Sequence, residues 1–262
     1  MPELNIAGAT LRYAVRGTGP RCIFAHCALA HSGAWFPLVS ALTCEAVMLD
    51  LPDHGRSAPS PTGVDTQRLT ADAIKELADG PVHLVGHSFG GTATLLAALE
   101  LGDQVASVTL IEPVQFCAAQ GTPAHDQYVA DFAPFVDAWQ KGDRAVAAQC
   151  FVDKWGSPGG WSALGSEQQE AMAAQIHVIP AQAAALNDDV NGVLSPGRLE
   201  KLSAPVTLVE GSQSAAVISA IHDALASRLP NVSRHTIQGA GHMSPLTHVS
   251  DVAALIPAEL RG

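Results

Sequence analysis

The chain has 262 residues, 47% hydrophobic and 15% charged, the make-up of a globular protein with one large α/β domain or a core domain carrying an insertion. Its formal net charge of −11, with no basic stripe to offset it, argues against nucleic-acid binding and against anchoring on an anionic membrane. No apolar run reaches membrane-spanning length, since the strongest, Leu95 to Leu101, is interrupted by Glu100. The N-terminus lacks a positive stretch followed by an apolar one, so no signal peptide is expected. The five cysteines (Cys22, Cys27, Cys44, Cys117, Cys150) are odd in number and have no C-x-x-C spacing, which fits free thiols in a reducing cytoplasm.

In chain order, Leu4–Ile6 and Leu11–Val15 read as a hairpin turning at Gly8. Cys22–Ala25 is a buried strand running into a loop that carries His26 and His31, followed by a short helix through Leu42. Ala46–Leu49 is a strand, and Asp50 to Ser57 form a turn-rich loop in which Asp50 and Ser57 shape the path and Asp53 sits in a turn. Residues 66–79 read as a helix, with Leu69, Ala73, Ile74 and Leu77 near helical spacing.

Val82-His83-Leu84-Val85 is a short apolar run after Pro81, the length of a buried strand, and the alanine-rich stretch Thr92–Leu101 reads as a helix closed by Gly102. Between them lies Gly86-His87-Ser88-Phe89-Gly90, a G-x-S-x-G pattern. A strand turning at once into a helix strains its apex residue and brings other chains close, and glycines two before and two after it remove side chains that would collide. The Ser88 hydroxyl then projects from the sheet edge beside a helix N-terminus, whose amides favour negative charge.

Val105–Ile111 is the next strand, ending at Glu112-Pro113, where the proline favours an extended Glu112. From Val114 to about Leu202 no strand pattern appears. Tyr128, Val129, Phe132, Phe135, Val136 and Trp139 recur at helical spacing, Arg144–Trp155 is a second helix, and Ser166 opens a third with a capping box that ends before Pro180. Ala181–Leu186 is a short fourth. Alternation then resumes: strand Val206–Val209, helix Val217–Leu229, strand Ser233–Ile237, a loop with His242, and a helix from Val249 to Leu260. Alternating strands and helices imply a mostly parallel sheet covered on both faces.

With these residues assembled, the chain resembles the α/β-hydrolase superfamily over residues 3–113 and 204–260. Four patterns carry the resemblance, in the family's order: the His26 loop with Trp35 nine residues on, D-x-x-x-x-G-x-S at Asp50–Ser57, the Ser88 elbow, and G-A-G-H-M-S-P-L around His242. It implies an eight-stranded α/β-hydrolase sheet from residues 1–113 and 203–262, with residues 114–202 as a helical cap. It also implies Ser88 as nucleophile and His242 as base, with backbone amides of Phe89 and Ala28 as oxyanion donors; Cys27, standing where the family usually has glycine, is the alternative to Ala28.

The third member of the triad departs from the common pattern. The family often carries an acid in G-x-x-D after the strand matching Val206–Val209, but here the segment reads Gly211-Ser212-Gln213-Ser214. A second acid position in some branches, haloalkane dehalogenases among them, ends the strand after the nucleophile helix, and Glu112 stands there. Glu112 is therefore assigned to orient His242, with Asp223 the other nearby acid. His31 and Trp139 are candidate substrate contacts, while at least two of Trp139, Trp155 and Trp161 are expected to pack cap helices together. His26 and His87 are expected in structural hydrogen bonds, and Cys27 as a packing residue. No H-E-x-x-H, G-x-G-x-x-G or P-loop occurs, so no metal or cofactor is expected.

The expected function is a cofactor-independent serine hydrolase acting on a small ester-like substrate (carboxylester, lactone or thioester) with an apolar part. The alternatives are a carbon–carbon bond hydrolase or hydroxynitrile-lyase-like enzyme, and a non-catalytic ligand-binding homologue, the last motivated by Ser214 in place of an acid.

Overall fold

The computed structural model describes residues 1–261; Gly262, the last residue of the expected core, lies outside the described residues. Eight strands form one sheet: β1 (Glu3–Ile6), β2 (Ala9–Arg16), β3 (Arg21–Ala25), β4 (Glu45–Leu49), β5 (Val82–His87), β6 (Val105–Ile111), β7 (Val206–Gly211) and β8 (Val232–Ile237). Their order across the sheet is β1-β2-β4-β3-β5-β6-β7-β8. The pairs β1–β2 and β2–β4 are antiparallel, and all the others are parallel.

The helices in chain order are α1 (Phe36–Val39), α2 (Thr66–Leu77), α3 (Phe89–Leu101), α4 (Pro123–Gln140), α5 (Arg144–Trp155), α6 (Ser166–Gln175), α7 (Val178–Ala181), α8 (Ala183–Asn187), α9 (Ala216–Ala226), α10 (Ser244–Thr247) and α11 (Val249–Leu255). Successive residues of a strand point to opposite faces, so the central strands feed two cores. Ile23, Val47 and Leu84 pack with residues of α2, α3 and α9, such as Ile74, Leu95 and Ile221. Phe24, Met48 and Val85 pack on the other face with Trp35, Leu38 of α1 and Val252 of α11. Every residue of β5 is buried, His83 and His87 included, as befits a central parallel strand covered on both faces. Between β6 and β7 the described residues form helices and loops, with no strand. No helix among them is long and apolar enough to cross a membrane.

Several boundaries and one conformation differ from expectation. The elbow helix begins at Phe89, directly after Ser88, because the glycines that relieve the turn also enter the helix. The α6 N-cap is Gly165, not Ser166, and only half a capping box forms, Gln168 Oε1 accepting from the Gly165 N–H at 3.1 Å. Pro180 lies inside α7, in its first turn, where a missing N–H costs nothing. The last helix stops at Leu255, since Pro257 forces Ile256 out of the helical region. Glu112 is not extended: its φ is +46°, against the preference of a residue before proline. The Glu112 N–H donates to the Val209 carbonyl at 2.9 Å, and its side chain is tied on three sides, so long-range bonds override the local preference.

Candidate active site

Ser88 joins β5 to α3 with φ 56° and ψ −121°, a strained conformation for a residue with a side chain. Its N–H donates to the Ile111 carbonyl at 2.9 Å, which anchors the turn on the neighbouring strand. A Cβ on Gly90 would run into the carbonyl oxygens of Ala25 and His26, and one on Gly86 into Gly91 and the Thr94 hydroxyl. The steric reading of the two glycines is thereby explained atom by atom.

His242, on the loop after β8, donates through Nδ1 to Glu112 Oε2 at 2.7 Å. Glu112 is fully buried, and its other oxygen accepts from the Gly211 N–H at 2.8 Å and from the Ser214 hydroxyl. Burial pushes this carboxyl's pKa up, but the bond to His242 and those from Ser214 and Gly211 outweigh it, and the group is held below its ordinary value. Asp223 instead pairs with Arg234 at the surface and takes no part.

His87, next to Ser88, donates through Nε2 to the His242 carbonyl at 2.8 Å, tying the histidine loop to the elbow. Burial, then the neighbouring His242, lowers the His87 pKa to about 3, so it is a neutral donor. Ser88 Oγ makes no hydrogen bond to a described residue, the loose arrangement common where no substrate is bound.

Two more buried histidines fix the loop after β3. His26 donates through Nδ1 to the Cys27 carbonyl at 2.7 Å and accepts the Leu51 N–H at 3.0 Å. His54 donates to the Pro52 carbonyl at 2.7 Å and accepts the Leu29 N–H at 3.0 Å. Burial lowers the pKa of both, which keeps each ring neutral with one donor and one acceptor nitrogen. The amides of Ala28 and Phe89 donate to no described residue, and both residues line the cavity that contains Ser88. Cys27 lines the outer cavity with Ala28 rather than the Ser88 cavity, its amide also donates to no described residue, and its thiol is pushed up to about 12 by burial.

The cavity over Ser88 measures about 330 Å³ and is walled by α4, α5, α7 and α8. Of the seven Phe, four Trp and two Tyr in the chain, eight line it, and no Asp, Glu, Lys, Arg or His does. A second cavity of about 450 Å³ shares Ala28, Phe151 and Trp155 with it and runs out past Met243 and Leu246.

The structure brings Glu112 to His242, and Ser88, Phe89, Ala28 and Trp139 to one cavity. His31 lies outside the Ser88 cavity, exposed on the outer one, and its Nδ1 accepts the Gly33 N–H at 3.1 Å as a helix cap. Of the three cap tryptophans, Trp139 and Trp161 pack against the core of the cap helices, as expected of at least two; Trp139 and Trp155 also wall the cavity, and the Trp155 ring lies 4.8 Å from that of His242. Asp50 shapes its loop as expected, accepting from the Ser32 and Arg56 amides at 2.6 and 3.0 Å. Sequence reasoning missed His54 and the donor role of Ser214; the first had a signal only in its place inside the Asp50–Ser57 pattern, the second only in its place three residues beyond β7.

A serine on a strained strand-to-helix turn, under a sheet of this order, defines a class of hydrolytic enzyme. The Alpha/beta hydrolase family model matches residues 22–255, and the chain belongs to that family. It is 30% identical over 250 residues to a pimeloyl-[acyl-carrier protein] methyl ester esterase of Methylococcus capsulatus, covering 92% of this chain and 94% of that one. It is 28% identical to the dihydrolipoyllysine-residue acetyltransferase component of an acetoin cleaving system from Cupriavidus necator, covering 98% of this chain and 68% of that one. An esterase from Exiguobacterium antarcticum shares the fold with a TM-score of 0.74 at 17% identity, over 96% of each chain.

Proposed function

We propose that the protein is a cofactor-independent serine hydrolase that cleaves a small neutral carboxylic ester through an acyl-enzyme on Ser88. The observation that carries this reading is the buried Glu112 carboxylate 2.7 Å from His242 Nδ1, beside an elbow serine and two amides with no acceptor. An ester is favoured by the methyl ester esterase among its relatives, and neutrality by a cavity without charged side chains.

In the proposed reaction Ser88 Oγ attacks the ester carbonyl carbon and its proton passes to His242 Nε2. Glu112 holds the ring in the tautomer that accepts there and stabilises the charge that results. The carbonyl oxygen becomes an oxyanion received by the amides of Phe89 and Ala28. The C–O bond breaks as His242 returns the proton to the departing alcohol. Water then adds to the acyl-enzyme with His242 as base, the Ser88–acyl bond breaks, the acid leaves, and Ser88 regains its proton.

Residues 114–202 act as the cap. The leaving alcohol must lie on the His242 side to receive its proton, which suits the outer cavity past Met243; the aromatic cavity then holds the acyl group. Five unpaired thiols and no membrane-crossing helix among the described residues suit a cytoplasmic setting.

Labelling with a fluorophosphonate, read by intact mass and peptide mapping, tests the reading. Rapid modification of Ser88, lost in Ser88→Ala and strongly slowed in Glu112→Gln, is expected. A wild-type Ser88 that resists the probe sinks it and favours a ligand-binding homologue.

A further inference from the structure

Besides Ser88 and the exposed Gln140, two polar side chains lining the Ser88 cavity have no partner among the described residues. Gln182 is 4% exposed, lines the cavity, and its carboxamide bonds to no described residue. Its backbone is spent in the α7–α8 helical turns, where the Gln182 carbonyl accepts the Leu186 N–H at 3.2 Å, so only the side chain is free. Tyr128 of α4 is 7% exposed and lines the same cavity, and its hydroxyl likewise makes no hydrogen bond to a described residue. Two neighbouring amide side chains are satisfied. Asn187 donates to the Ala183 carbonyl at 2.9 Å, and Gln115 to the Ala185 carbonyl at 3.0 Å. The polar atoms of Gln182 and Tyr128 stay accessible from the cavity and have no partner among the described residues, so water or a ligand there completes their hydrogen bonding.

The surroundings narrow what completes it. Tyr128 stands in a row of stacked rings, its centroid 4.0 Å from Phe116 and 5.5 Å from Phe132, with Phe132 a further 4.5 Å from Phe135. Faces and edges of this kind receive a flat ring by offset stacking and edge contact. The carboxamide offers both a donor and an acceptor, and the phenol a donor, which together match a hydroxyl group. Without a cation in the wall, a carboxylate or phosphate on the acyl group would be desolvated unpaired.

We infer that Gln182 and Tyr128 are specificity-determining residues that select an aromatic acyl group carrying a neutral hydroxyl, the ring held by the stacked aromatic wall and the hydroxyl by the two side chains. This rests on the serine hydrolase reading for the placement of the acyl group, but not for the recognition itself. A site built to hydrogen-bond a substrate hydroxyl discriminates strongly against the analogue that lacks it, because its own buried groups are then left unpaired.

Recognition is read without chemistry by calorimetric binding of phenylacetamide and of 3- and 4-hydroxyphenylacetamide to the Ser88→Ala protein. The better hydroxylated amide is expected to bind about 10- to 100-fold tighter than phenylacetamide, the value of two neutral hydrogen bonds. Gln182→Leu and Tyr128→Phe, each added to Ser88→Ala, are each expected to shrink that ratio severalfold while leaving phenylacetamide binding nearly unchanged. A ratio near one, no binding of any amide, or a ratio that survives both substitutions overturns the inference. The corresponding methyl esters on the wild type separate the two readings. Turnover without preference for the hydroxyl overturns the inference and leaves the hydrolase standing. A binding preference with no turnover of any ester overturns the hydrolase and leaves the recognition standing.

Discussion

His54→Phe tests whether the loop that carries Ala28 is held by a histidine remote from the reacting atoms. Phenylalanine keeps a ring in the buried site but removes both bonds, the acceptor for Leu29 N–H at 3.0 Å and the donor to the Pro52 carbonyl at 2.7 Å. Each neutral bond contributes about 1 kcal/mol net, and a buried partner left unpaired costs about 1–3 kcal/mol, so a stability loss of about 2–4 kcal/mol is expected. Leu29 has φ 61°, a conformation that a residue with a branched side chain keeps only under constraint, and its N–H bond to His54 is such a constraint. When the constraint goes, Leu29 relaxes toward negative φ and carries the Ala28 amide with it. Loss of one oxyanion donor lowers kcat by about 10²–10³. Urea unfolding and ester kinetics on the same preparation measure the two effects, with KM changing little. A variant that has lost the expected stability yet keeps kcat within about threefold of wild type refutes the argument, because the loop would then be held by something else.

Glu112→Gln is expected to keep the fold and lower kcat by up to about 10⁴, since the amide no longer stabilises the His242 cation. Ser214→Ala removes one donor to the buried carboxylate and is expected to cost about 1.5–3 kcal/mol at neutral pH. Because the folded pKa of Glu112 is depressed, its stabilisation is present above the unfolded carboxyl value and is lost as pH falls through the folded one; Ser214→Ala moves that loss to higher pH, visible in acid unfolding curves. His87 and His222 are lowered to about 3 and about 4, mainly by burial, against about 6.5 when unfolded. Below that value the unfolded chain takes up the protons first, so each costs about 2 kcal/mol of stability by pH 5. Neither ring nitrogen of His222 makes a hydrogen bond, with Glu210 Oε2 3.8 Å from Nδ1, so His222→Leu is expected to be nearly neutral at pH 7.5 and to remove its share of the slope; an unchanged slope between pH 7.5 and 5 counts against this. Gly90→Ala puts a methyl group against two backbone carbonyls and is expected to cost about 1–3 kcal/mol together with most of the activity, checked by Tm and turnover.

The sheet and the elbow were legible in the chain because each is written in local terms, whereas His242 came from the family resemblance. Apolar runs of strand length, an alanine-rich helix and glycines flanking a serine are short-range patterns, and the collisions at Gly86 and Gly90 are what that spacing anticipates. Glu112 too was reached through the resemblance, from an acid position that some branches of the family use at that strand end and from the serine at position 214. What it does there belongs to the tertiary structure. His242 lies 130 residues away, and the bonds from Gly211, Ser214 and His242 impose a positive φ that the following proline disfavours. A preference worth a fraction of the folding energy yields to three bonds on a buried charge, and no window of sequence contains all their partners. The anchoring of Leu29 by His54 and the turning of Trp139 and Trp155 into a cavity wall were decided in the same way. Helical spacing says which residues share a face, and only the packing of α4, α5, α7 and α8 over the sheet decides what that face encloses.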